Sequence, residues 1–201
     1  NNLDNIDKVL TAFKRIGFDD VFEVSSAAEI VSDCTRKLMS TGKLPRPVIS
    51  SACPAVTRLI RVRFPNLCQN VLPVLAPVEV AAMMARREAV KKTGLKANEI
   101  GIFFISPCPA KVTYVRTPLG TRKSEINYVL AISDIYPKIA GIIKHMDDPE
   151  PLSHSGIIGV GWAGSGGEAS ALLKEQYLAA DGIENVIQVL EEVEDEKLSE
   201  V

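Results

Sequence analysis

Histidine is scarce in this 201-residue sequence: only His145 and His154 occur, both within one polar stretch. A histidine-rich metal site, or a nucleophile paired with a nearby histidine base, therefore has little to draw on, and these two read as surface residues. Cysteine is also thin, with Cys34, Cys53, Cys68 and Cys108 far apart. That spacing argues against a disulfide-stapled secreted fold and leaves no C-x-x-C metal run. Charge of neither sign dominates, since 23 basic and 25 acidic residues leave a net −2. Without a basic field, nucleic acid and anionic membrane surfaces are excluded as expected partners. Apolar runs such as Ile100 to Ile105 are far shorter than the roughly 20 residues of a membrane helix, and no basic, apolar leader opens the chain. The expected compartment is a reducing cytoplasm. No paired-carboxylate site stands out either.

What the chain does have is apolar content, 46% of residues, enough for a core that removes roughly 70% of the unfolded surface from water. Helix-period and strand-like segments alternate along it. Leu3, Ile6, Val9, Leu10, Phe13 and Ile16 recur at three- and four-residue spacing up to Gly17, which predicts a helix. A strand is expected at Val21 to Val24. Ser26 with Glu29 then makes a capping box for a helix ending before Gly42. Val48 to Ser50 and Val71 to Leu75 read as strands around a helix from Pro54 to about Phe64. A longer helix from Val78 to Thr93, closed by Gly94, leads to the strand Gly101 to Ile105. Further on, strands are expected at Val129 to Ile132, Ile157 to Val160 and Val186 to Leu190, with helices from Ser133 to Lys144 and Glu168 to Leu178. This order predicts an α/β fold of two lobes of mainly parallel sheet flanked by helices, residues 1–97 and 98–201. The acidic tail from Glu191 to Glu200 reads as solvated.

Two cysteines stand at strand ends. In Ile-Ser-Ser-Ala-Cys-Pro-Ala, residues 49–55, Cys53 leaves a strand and Pro54 opens a helix, whose unpaired N–H groups favour a thiolate. In Ile-Ser-Pro-Cys-Pro-Ala-Lys, residues 105–111, two prolines hold Cys108 in a loop and Lys111 adds a positive charge. Ligands of open α/β sheets bind at such strand ends, so one shared site is expected. Cys34 and Cys68 read instead as small buried hydrophobes. Gly159-Val-Gly161-Trp-Ala-Gly164 matches a dinucleotide fingerprint in letters only, because it lies late in the chain and no acidic ribose ligand follows at the required distance. The stretch to Gly167 suits close approach of backbone to a bulky cofactor, or of strand to helix.

Taken together, Ser-Ala-Cys-Pro-Ala, then Pro-Cys-Pro-Ala-Lys, then the run from Ser155 to Gly167 resemble, in order and approximate spacing, the C-terminal domain of the iron-only hydrogenase large subunit. Gly-Phe-Asp around Phe18 and Ala76-Pro77 also fit. The resemblance implies an oxidoreductase that makes or splits hydrogen, or senses it, at a 4Fe-4S cubane joined to a di-iron unit, the H-cluster. It further implies that Cys53 and Cys108 are two of four cubane ligands and that Lys111 contacts a cyanide of the di-iron unit. Pro77, Ser106, Trp162, Gly166 and Gly167 would line the cofactor pocket, with Ser106 where hydrogen-producing members carry methionine. The implied electron partner is a ferredoxin-like protein or a fused ferredoxin or sensor domain. The departures are specific. Ala52 stands where hydrogen-producing members have a proton-relay cysteine, and no carboxylate is expected to continue that relay along the helix of residues 27–38. A third cysteine motif, supplying the other two ligands, is absent, so the chain is expected to be an inactive fragment holding no cluster of its own. A scaffold or assembly relative without hydrogenase activity is the alternative.

Overall fold

The computed structural model describes residues 5–198. Two compact units emerge, and neither is a continuous stretch of chain, whereas the lobes expected from sequence order are. Of the described residues, those up to Glu23, Ala81–Pro118 and Lys123–Ser155 form the first, and Val24–Val80, Leu119–Arg122 and those from Gly156 to Leu198 form the second.

In the first unit, helix α1 (Ile6–Arg15) begins where the Asn5 side chain accepts the Asp7 N–H at 2.8 Å, an N-cap that satisfies an otherwise orphaned donor. The parallel strands β1 (Phe103–Ser106) and β2 (Tyr128–Ala131) pair Phe103 with Tyr128 through Ser106 with Ala131. Parallel neighbours need a crossover, and α5 (Ala110–Arg116) lies within it. The chain then enters α6 (Ile132–Lys144), which packs on α1. Ala12, Ile135, Ile139, Ile143 and Met146 are buried together there, with Ile105 and Leu130 of the strands against them. The spacing of Ile135, Ile139 and Ile143 is the reason, since it places one apolar stripe along the helix.

The long helix α4 (Pro77–Thr93) ends at Gly94, whose φ of +74° suits glycine. Its residue Arg86 closes a hub within the first unit. Nε donates to a Glu125 carboxylate oxygen, while the two terminal nitrogens reach the carbonyls of Ala97, Ile100 and Glu125 and the Asn127 side-chain oxygen.

The second unit contains α2 (Val24–Ser40), α3 (Pro54–Arg63), a 3-10 turn over Pro65–Asn70 and α9 (Ile183–Glu194). Ile60, Phe64, Leu67, Leu190 and Val193 form its buried cluster. Two short helices, α7 (Ile157–Gly161) and α8 (Gly167–Ala171), pack against α2 and each other.

Helix and parallel strand combine as the α/β reading requires, but several segments differ from it. Val21 to Val24 is not a strand: α2 already begins at Val24, so Ser26 and Glu29 lie inside the helix instead of capping it. Ile157 to Val160 is helical, because the backbone of Gly159 lies directly on Ser25 of α2, an approach that a helix turn presents. Val186 to Leu190 is also helical. Val186, Leu190 and Val193 follow a helical spacing that the β-branched Val186, Ile187 and Val189 obscured, and Leu190 and Val193 are buried. The acidic tail begins inside this helix, where Glu191 pairs with Arg63 and Glu194 accepts from Asn66. The helix expected over Glu168 to Leu178 is confined to α8. Val48 to Ser50 and Val71 to Leu75 contribute one parallel bridge, Ile49 to Val71. No helix among the described residues is long and apolar enough to cross a membrane.

One carboxylate gives the first unit a pH-sensitive join. Asp7 accepts the N–H groups of Leu152 and Ser153 at 2.9 and 2.6 Å, and the bonds from Ser153 hold its carboxyl below the ordinary value. A carboxylate whose folded value is depressed contributes above its unfolded value and loses that contribution as pH falls through the folded one. Amide exchange at Leu152 and Ser153 is therefore expected to be slow at neutral pH and to approach the rate of Asp7→Asn in acid. Equal protection in the variant at neutral pH would contradict this.

Candidate metal centre

Each candidate ligand sits where an extended segment gives way to a helix. In the second unit the chain leaves the Ile49 bridge, turns through Ser50 to Ala52, and presents Cys53 as the N-cap of α3 with extended φ and ψ of −92° and 110°. Pro54 at the first helical position fixes that start, since it lacks the N–H that would go unpaired. Cys53 is exposed. In the first unit β1 ends at Ser106, only 4% exposed, whose Oγ accepts the Cys108 N–H at 3.1 Å. This serine shapes the cysteine turn, which gives it a local role where the resemblance leads one to expect methionine. Cys108 is half-buried, and its carbonyl accepts the Lys111 N–H at 3.2 Å in the first turn of α5.

Lys111 itself is half-buried. A cation in the first turn runs against the helix dipole, so helix formation alone does not account for it.

The structure gathers the remaining candidates by unit. Ser106, Cys108 and Lys111 lie together on the β1–α5 turn of the first. Ala52, Cys53, Pro77, Trp162, Gly166 and Gly167 belong to the second. Ala52 is half-buried and its N–H donates to Ser50 Oγ at 3.1 Å. Pro77 is buried at the start of α4. Trp162 is held by an indole N–H bond of 2.8 Å to Ser32 Oγ on α2.

The glycines divide into two kinds. A Cβ on Gly159 would come within 2.2 Å of the Ser25 carbonyl oxygen, and one on Gly167 within 2.0 Å of the Gly161 oxygen. Those two are required by packing inside the protein. Gly161 has nothing within 4 Å, and Gly166 takes φ +70° as the N-cap of α8.

Two expectations need correction, and one residue is added. Cys34 and Cys68 are exposed, not buried: Cys34 falls one position off the stripe formed by Val31 and Thr35, both buried. Helix α2 does carry carboxylates. Glu29 accepts the Gly159 N–H at 3.0 Å, and Asp33 pairs with Lys37 and Arg36. His145 and His154 are exposed, as expected. The residue that sequence reasoning missed is Glu168, whose two carboxylate oxygens lie 2.6 and 2.7 Å from Ser50 Oγ. No sequence signal joins residues 118 positions apart.

Thiolate sulfur is the donor that iron–sulfur clusters take, and both candidate thiols have surface open to a ligand. Among the described residues, no group of three or more His, Cys, Asp or Glu side chains is placed to hold a metal ion. The donor chemistry therefore fits two separate ligand positions.

Comparison with known proteins adds the family. The profile described as iron only hydrogenase large subunit, C-terminal domain, matches residues 2–200, and the chain belongs to that family. Iron hydrogenase 1 of Clostridium pasteurianum is 23% identical over 109 residues, covering 52% of this chain and 19% of that protein. The NADP-reducing hydrogenase subunit HndD of Solidesulfovibrio fructosivorans is 24% identical over 113 residues, with the same shares. The chain thus spans about a fifth of the length of these relatives. Among solved structures, a variant of the FeFe-hydrogenase HydA1 from Chlamydomonas reinhardtii superposes with a TM-score of 0.61 at 18% identity, over 77% of this chain and 42% of that one. An apo form of HydA1 gives 0.56 at 19%, over 76% and 42%. At that identity the likeness is one of fold.

Proposed function

We propose that this chain is a cluster-holding part of a hydrogenase-type oxidoreductase, with Cys53 and Cys108 as two thiolate ligands of its iron–sulfur cluster. The observation that carries the reading is that both cysteines stand at the turn from an extended segment into a helix, inside motifs of a chain matched to the family from end to end. When bound, such a cluster supplies electron storage and an iron site at which hydrogen is made or split. The chain's own residues hold and shape that site. Lys111 offers an ammonium donor to an anionic ligand, a charge-assisted bond. The resemblance would place Pro77, Trp162, Gly166 and Gly167 around that site, and the bond from Trp162 to Ser32 fixes the indole.

Ala52 decides the kinetics. Proton exchange needs a group that accepts and releases a proton within hydrogen-bond reach, and a methyl group does neither. The protein from which this chain comes is therefore proposed to turn over slowly and to serve hydrogen sensing better than bulk hydrogen production. Electrons come from a ferredoxin-like partner or a fused domain, in the cytoplasm, and the chain without a cluster is inactive. In the full-length, cluster-loaded protein, Ala52→Cys is expected to raise hydrogen evolution by about a hundredfold, the low end of what a positioned proton donor contributes. No hydrogen activity in either the parent or the variant, despite a full complement of iron, would overturn the reading in favour of a scaffold protein.

A further inference from the structure

The contact between Ser50 and Glu168 has no part in the reading above, yet it lies three residues from Cys53. Ser50 Oγ has one proton to give and two lone pairs to offer. The proton goes to the Glu168 carboxylate, at 2.6 and 2.7 Å from its two oxygens, and a lone pair takes the Ala52 N–H at 3.1 Å. Both side chains are half-buried. The next residue continues the pattern, because Ser51 Oγ donates to the Val74 carbonyl at 2.9 Å. The turn that delivers Cys53 is therefore tied at consecutive residues, and the Ser50 tie is the charge-assisted one.

Glu168 is itself well anchored. It is the second residue of α8, which starts at the tightly packed Gly167 and ends where the Ala171 carbonyl accepts from Arg36 of α2 at 2.8 Å. The carboxylate is thus a fixed point to which a loop can be fastened. Nothing in residues 49–55 is ionisable except Cys53.

We propose that Glu168, acting through Ser50, is the positioning residue for Cys53: it sets the Ala52–Cys53 backbone at the N-terminus of α3 and so holds the thiol for metal ligation. The inference rests on the reading of Cys53 as a ligand only for why its position matters.

Alkylation of the chain by iodoacetamide at neutral pH, read at each cysteine by peptide mass spectrometry, tests it without any cluster. Alkylation needs the sulfur presented to the reagent, so its rate follows how the turn holds Cys53. Ser50→Ala and Glu168→Ala should each slow Cys53 by about threefold or more while leaving the exposed Cys34 unchanged. The double variant should match the singles, since both remove one link. Ser50→Thr and Glu168→Gln, which keep a hydroxyl donor and an oxygen acceptor, should restore most of the rate. If Ser50→Ala leaves Cys53 at the wild-type rate, or if Glu168→Gln acts as strongly as Glu168→Ala, positioning is overturned. The second result would show that the carboxylate acts by charge. Either failure leaves the ligand reading standing, because that reading is decided separately by iron content.

Discussion

Replacing Arg86 by methionine is expected to destabilise the first unit by about 1–3 kcal/mol, the range for leaving part-buried acceptors without their partner. The side chain is only 13% exposed, and its donors satisfy the carbonyls of Ala97, Ile100 and Glu125 together with Asn127. Methionine fills much of the same space, so the loss comes from stranded acceptors and not from a cavity. A carbonyl deprived of its partner away from water costs about 1–3 kcal/mol. The consequence reaches beyond the hub, because Asn127 also accepts the Ile102 N–H at 2.8 Å, next to β1 and β2. Arg86→Lys keeps the charge but not the planar fork, and should recover less than half of the loss. The exposed pair Lys92 with Asp20 is the control, worth about 0–1 kcal/mol. Amide exchange of β1 and β2 measures the effect. A wild-type exchange rate in Arg86→Met would show that the hub is not what holds these segments together.

A second large effect is expected at Gly159. Alanine is favoured over glycine inside a helix by about 1 kcal/mol, and at an open position it should stabilise. At Gly159 the added carbon would lie 2.2 Å from a backbone oxygen of α2. Backbone cannot rotate aside as a side chain does, so α7 must move off α2. Overpacking of this kind costs about 1–3 kcal/mol and more against backbone, which outweighs the propensity gain. Gly159→Ala should also disturb the Trp162 bond to Ser32 and the Gly159 N–H bond to Glu29. Trp162 is the single tryptophan of the sequence, so its fluorescence during urea unfolding reports the second unit. Gly161→Ala, in the same helix with nothing within 4 Å, should be neutral or stabilising. If both substitutions behave alike, close packing is not the reason for glycine at 159.

These two residues mark what the sequence could and could not show. Several helices and their ends were legible: Pro54 after Cys53, the three- and four-residue spacing in α1, and Gly94 after α4 each have a local cause. The cysteine turns were legible for the same reason, since proline and a preceding strand restrict the backbone locally. Misreadings arose where tertiary contacts override local preference. Ile157 to Val160 has β-forming residues but becomes helical where Gly159 meets Ser25. Val186 to Leu190 carried both periods, and burial of Leu190 and Val193 against Ile60 and Phe64 selects the helix. Partners distant in sequence were invisible, among them Glu168 for Ser50 and the Arg86 hub. Exposure was the least readable property, as Cys34 and Cys68 show.

The most direct measurement is the iron and acid-labile sulfide content of the full-length protein, purified without oxygen, for the parent and for Cys53→Ala, Cys108→Ala, Cys34→Ala and Cys68→Ala. The account predicts loss of most cluster iron in the first two variants and parent levels in the last two, with the fold retained in all four by circular dichroism. Full iron in both Cys53→Ala and Cys108→Ala would contradict it.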